Sequence, residues 1–158
     1  MNDPWFAPAA LAQAVLISRS YRHWLARDLL PAIGASDPDV QTLAKALFDA
    51  PRVVVSHGTE ADPVLNYGNR SALTLWEMSW EELIRIPSRH TAEAVAREER
   101  ARLLDEVTRH GFISNYAGVR ISSTGRRFRI FEATVWNLID TEGRPAGQAA
   151  SFDRWEFL

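Results

Sequence analysis

The chain of 158 residues predicts an α+β fold: a five-stranded antiparallel sheet with helices between the second and third strands, preceded by N-terminal helices. Three observations carry that expectation. Residues 8–50 repeat apolar side chains at helical spacing. Residues 52–67 and 112–155 switch to β-branched and aromatic runs broken by tight polar turns. Between those strand regions, 69–109 holds helical segments with recognisable caps.

The elements follow in order. Pro8 suits a first helical turn, and Ala14, Ile17, Tyr21, Trp24 or Leu25, and Leu29 recur on one face, predicting a helix over 8–30 that Pro31 ends. Ser36 or Asp37 can cap a second helix over 38–49, with Val40, Leu43, Ala44, Leu47 and Phe48 at i, i+3, i+4, i+7, i+8. Arg52–His57 and Val64–Tyr67 read as strands around a polar turn. Asn69 caps a helix through Glu77, and Ser79-Trp80-Glu81-Glu82 is a capping box for another through Ile86. Thr91 is the expected cap of a longer helix to Arg109, supported by a Glu98–Arg102 pair at i, i+4 and ended by Gly111. Strands at 112–122, 126–139 and 145–155, joined by Ser122–Gly125 and Asp140–Gly143, complete a meander.

Strict alternation along 126–139 puts Phe128, Ile130, Glu132, Thr134, Trp136 and Leu138 on one face. Beyond Ile130 the other face is largely apolar too, so this strand is expected to be covered on both sides. The helices of 69–109 can cover one. The N-terminal helices or a second subunit must cover the other.

Composition excludes whole classes of function. Hydrophobic residues make 46% of the chain and charged ones 24%, as in an ordinary globular protein. A net charge of −2 gives no global drive toward nucleic acid or anionic membrane. The absence of cysteine removes disulfides, thiolate nucleophiles and Cys-based metal sites. Gln13, Arg19 and Arg22 interrupt the apolar N-terminal stretch short of a span, and Asp3 and Pro8 do not suit a signal peptide, so a cytoplasmic location without a membrane partner is expected. The four histidines lack metal-ligand spacing, and His57 with Glu60 and Asp62 reads as a solvated hairpin rather than a metal site. Ser56 and His57, as strand neighbours, point to opposite faces and make no dyad. No phosphate loop or nucleophile elbow is present. The basic run Arg126-Arg127-Phe128-Arg129 reads as a strand end or contact surface.

Several uncommon residues stand in a fixed order: Leu65-Asn66-Tyr67-Gly68-Asn69-Arg70, the run from Met78 to Arg89, and Tyr116 with Gly118-Val119-Arg120. Gly125-Arg126-Arg127-Phe128, Val135-Trp136-Asn137 and Gly147-Gln148-Ala149-Ala150 follow. With the order of elements over 52–155, they resemble the MEKHLA domain, a PAS-like family known at the C-terminus of plant class III homeodomain–leucine-zipper proteins and in small bacterial proteins. The resemblance implies a PAS-like fold and a bacterial, sensory module. It divides the chain into a helical extension at 1–50 and a PAS-like MEKHLA domain at 51–158. It also makes two cofactor chemistries testable. Flavin photosensors of the class use a cysteine, which this chain lacks, so cysteinyl-flavin chemistry is excluded. Heme sensors of the class place a histidine in the helix before the meander; Ala92–Arg109 has none, which disfavours heme.

A PAS-like cup is expected to place its site between sheet and helices. Tyr67, Asn69, Trp76 and Arg89 are candidate ligand-binding residues from the first half, and Tyr116, Arg120, Trp136, Asn137 and Gln148 from the meander. The same residues also suit a packed core with a polar network. The sequence thus supports a non-enzymatic module binding a small organic ligand in the cup, with the signal relayed through the N-terminal helices. The alternative is a dimerisation module with a filled core. In either case a homodimer through Ile17, Tyr21, Trp24 and Leu25 is expected, with no nucleic-acid partner.

Overall fold

The computed structural model describes residues 3–30, 38–93 and 97–158. Helix α1 spans Pro8–Leu25 and ends before the expected Pro31. Ala26 turns into the left-handed region (φ 57°) and its N–H closes on the carbonyl of Arg22, which stops the helix a turn early. Leu29 still reaches the core from the segment that follows. Helix α2 spans Val40–Asp49 and is capped by Asp39, whose carboxylate accepts the Thr42 N–H at 2.8 Å. The expected caps Ser36 and Asp37 lie outside the described residues.

Strands β1 (Val53–His57) and β2 (Leu65–Gly68) form the first hairpin. Helix α3 (Arg70–Trp76) begins at Asn69, and α4 (Trp80–Leu83) has the complete Ser79–Glu82 capping box. Thr91 is not a helix cap. It closes a short 3-10 turn at Ser88–Thr91, where its hydroxyl donates to the Ser88 carbonyl at 2.8 Å and Ala92 is extended. Helix α5 covers Arg97–His110, with the Glu98–Arg102 pair at 3.2 Å.

Strands β3 (Phe112–Ile121), β4 (Arg127–Ile139) and β5 (Pro145–Phe152) make the meander. The last expected strand is two: Asp153 breaks it, and β6 (Arg154–Phe157) pairs with the first part of β4 while β5 pairs with the second. The sheet therefore has six strands, in the order β2-β1-β5-β4-β3 with β6 beside β4, and all pairs are antiparallel.

A bulge decides which side chains share a face. Glu132 sits at φ 52°, where pairing passes from β6 (Phe131↔Arg154) to β5 (Thr134↔Ser151). On the other side Tyr116 faces Ala133 and Gly118 faces Ile130, so two β4 residues oppose one of β3. Alternation is reset there. Phe128, Ile130, Ala133 and Val135 face α3 and α5, while Trp136 and Leu138 turn to the opposite, outer face.

Both faces are covered, as strand composition predicted. The chain's own α1 and α2 cover the outer one: Ile17, Tyr21 and Leu47 pack with Val54, Tyr67, Trp136 and Leu138. Tyr21 meets Trp136 edge-on at 4.9 Å, and the Trp136 indole N–H donates to the Ile17 carbonyl at 3.3 Å. Among the described residues no helix is long and apolar enough to cross a membrane.

Candidate functional site

The inner face of the sheet and α5 form a partly open cavity of about 60 Å³. Each wall has a sequence cause. From β1 come Val55 and His57, and from β5 Gln148 and Phe152. On β3, Tyr116 and Arg120 are four residues apart and therefore share the cup face. Ile130 and Val135 come from either side of the β4 bulge, and Arg100, Leu103 and Leu104 from one stripe of α5. Trp76 closes one end, edge-on to Phe128 at 5.3 Å and Phe152 at 6.2 Å.

Gly118 makes room on β3. A Cβ there would lie 2.4 Å from the Tyr116 hydroxyl and 3.1 Å from Arg120, so the bare backbone lets these two side chains meet. The Arg120 guanidinium sits 5.5 Å from the Tyr116 ring centroid and donates to its hydroxyl at 3.3 Å and to the Val119 carbonyl at 2.8 Å.

The polar groups at the cavity are cationic or neutral. Arg120 is buried, at 7% exposure. Burial, then the charge of Arg120, lowers the Arg100 pKa to about 10, so Arg100 remains a cation at neutral pH. Burial also pushes His57 below its ordinary value, with Arg100 adding to the effect and the Gly58 carbonyl opposing it. That carbonyl, 2.9 Å from Nδ1, requires the proton there, and Nε2 is left without a partner. The buried Trp76 N–H has none either.

The structure separates the sequence-predicted residues into three groups. Trp76, Tyr116, Arg120 and Gln148 line the cavity. Tyr67 and Trp136 lie on the outer face instead, where burial raises the Tyr67 pKa and Trp136 is fully buried under α1. The bulge at Glu132 is what sends Trp136 there. Asn69 and Asn137 are structural ties. Asn69 accepts from Val54 and Ala72 N–H and donates to the carbonyls of Leu47 and Arg52. Asn137 donates to the Val107 carbonyl at the end of α5. The Gln148 amide donates to Leu104, Thr108 and Asn137, holding α5 on the sheet. Arg89 is away from the cavity, paired with Asp62 at the surface at 3.1 Å.

The α1 candidates divide as well. Ile17 and Tyr21 are buried against the chain's own sheet, while Trp24 and Leu25 are half-buried. Trp24 is also tied inward, its indole N–H donating to the Asn137 carbonyl at 2.9 Å. His57, Glu60 and Asp62 do not converge: Glu60 accepts from Val64 N–H and Asp62 from Arg89.

Arg100 and His57 are the cavity residues that sequence reasoning missed. Arg97-Glu98-Glu99-Arg100 reads as a solvated face. Yet Arg100 stands three and four residues before Leu103 and Leu104, which places it on the buried stripe.

A twisted antiparallel sheet cupping a cavity under short helices and one longer helix is the PAS/LOV fold. A PAS domain from Colwellia psychrerythraea superposes with a TM-score of 0.63 at 15% identity, covering 75% of this chain and 96% of that one. The PAS domain of a LuxR-family transcriptional regulator from Burkholderia thailandensis, solved in complex with ethanol, gives 0.53 at 20% identity over 72% and 95%. An RNA-binding light-oxygen-voltage receptor gives 0.62 at 16% over 74% and 36%.

Within that class the chain belongs to the MEKHLA domain family, whose model matches residues 11–157, a span that takes in α1 and α2. Homeobox-leucine zipper protein ATHB-9 of Arabidopsis thaliana is 28% identical over 154 residues, and HOX29 of Oryza sativa subsp. indica is 24% identical over 152. Each match covers 96% of this chain but only 18% of the relative. These relatives are plant proteins, which corrects the bacterial origin expected from the resemblance.

Proposed function

We propose that this domain is a non-enzymatic sensory module that binds a small organic molecule in the cavity between the sheet and α5. The observation that carries the reading is the cavity itself: a mostly apolar interior with two buried polar atoms, His57 Nε2 and the Trp76 indole nitrogen, left without partners among the described residues, the usual form of a small-molecule site. A filled core, as a pure dimerisation module would have, leaves no such space. The ethanol complex of the Burkholderia thailandensis PAS domain is a precedent for a small guest in this fold. Among the described residues lining the cavity the titratable ones are His57, Arg100, Tyr116 and Arg120, with no carboxylate, and His57 Nε2 has no hydrogen-bond partner with which to form an acid–base pair.

Relay follows from β4. Val135 faces the cavity and its neighbour Trp136 is bonded to α1, so an adjustment of the strand reaches the N-terminal helix in one residue. A ligand shifts α1 only as far as it binds one arrangement better than another. Native mass spectrometry of the purified protein, with an absorbance scan, tests the reading. A reproducible bound mass that Trp76→Ala removes without unfolding is the expected result. A bare protein that also takes up nothing from a small-molecule library overturns it in favour of the dimerisation module.

A further inference from the structure

We propose that the cavity is an anion site whose ligand is a small carboxylate with an apolar body, held by Arg100 and Arg120. This rests on the reading of the cavity as a ligand site and specifies the chemistry of that ligand. Two guanidinium groups line one small interior. The ion pairs formed among the described residues involve other arginines and Lys45, and none involves Arg100 or Arg120. Arg120 is nine-tenths buried and anchored by Val119 and Tyr116. Arg100 has no hydrogen-bond acceptor among the described residues, so its fork is available to a guest. Arg120 is withdrawn from water and Arg100 is half-buried beside it, with no counter-charge for either among the described residues, and a bound anion relieves both at once.

The rest of the wall selects the kind of anion. Leu103, Leu104, Val135 and Phe152 offer no donors to a bare inorganic ion but bury an apolar body well. A planar carboxylate takes two parallel N–H bonds from one guanidinium. The cavity is small, about 60 Å³, and partly open to solvent, so the apolar body of the acid extends from the guanidinium pair toward the opening.

Calorimetry and thermal melting of the full chain with benzoate, benzyl alcohol and inorganic phosphate test this. Benzoate is expected to bind and raise Tm, with benzyl alcohol and phosphate each about 10- to 100-fold weaker. Arg100→Met is expected to abolish the benzoate shift while melting above the native protein when empty, because it removes an unpaired, half-buried cation that repels Arg120. Loss of binding in that variant is then not unfolding. Benzyl alcohol binding as tightly as benzoate overturns the anion assignment and leaves the small-molecule reading standing. Phosphate binding as tightly overturns the apolar body. Unchanged benzoate affinity in Arg100→Met, a lower empty Tm, or no binding by any probe overturns the proposal. In the last case the mass measurement above still decides whether the cavity holds a ligand at all.

Discussion

His57 shows how one buried side chain couples stability to pH. It is 8% exposed, and its desolvation favours the neutral ring. The groups that act on it are Arg100 from α5, which also favours the neutral form, and Glu60, Gln148 and the Gly58 carbonyl, which oppose it. The folded pKa therefore lies below the ordinary 6.5. As pH falls through 6.5 the unfolded chain takes up the proton first, so stability is complete above that value and declines below it. Asp49 and Glu60, whose carboxylates are held below 3.8 and 4.5 by hydrogen bonds, act only at lower pH. Thermal melts between pH 7 and pH 5 are expected to show a falling Tm in the native chain and a flatter profile in His57→Gln. An equal slope in both would remove His57 from the account.

At the scale of the element, β4 serves two interiors. Its cup face contributes Ile130 and Val135, and its outer face Trp136 and Leu138, because Glu132 in the left-handed region resets alternation. Such a residue costs about 1–2 kcal/mol over an ordinary strand conformation, and the gain is a strand that addresses both layers. Trp136→Ala is expected to lose about 3–5 kcal/mol in chemical denaturation while leaving the cavity walls in place. A ligand identified by mass should then still bind the folded fraction of that variant. Binding lost in proportion to nothing but the folded fraction agrees with this. A specific loss from protein that is still folded would put Trp136 back in the site. A close approach elsewhere limits the same sheet: Gly147 at φ 120° leaves only 2.0 Å between the position of a Cβ and the His57 carbonyl.

For the whole molecule, the N-terminal helices complete the fold rather than decorate it. Ile17, Tyr21 and Leu47 supply the apolar cover for Val54, Trp136 and Leu138. A chain beginning at Pro51 is expected to expose that face, melt at lower temperature and aggregate, as read by light scattering and thermal denaturation. If it stays monodisperse with an unchanged Tm, α1 and α2 are not part of the folding unit. The family match from residue 11 agrees with their inclusion. A homodimer through α1 has only the helix's remaining surface to use: half-buried Trp24 and Leu25 and an exposed side with Arg19, Arg22 and His23.

The sequence by itself determined the element order, the antiparallel meander and the PAS-like class. Those follow from periodicity, caps such as Asn69 and Ser79, and turn residues, all of which act over a few neighbours. It also pointed to Trp76, Tyr116, Arg120 and Gln148, as aromatic and polar residues suited to a PAS-like cup; Tyr116 and Arg120, four apart on one strand, share a face by alternation. Only the tertiary structure decided the rest. The Glu132 bulge depends on where β5 gives way to β6, a partner more than ten residues away in sequence, so Trp136 was legible as buried but not as facing α1. Arg89 found Asp62, and Arg100 was drawn inside beside Leu103 and Leu104, because long cationic side chains go where the assembled surface has space for them. The cup was written locally; its charge was settled by packing.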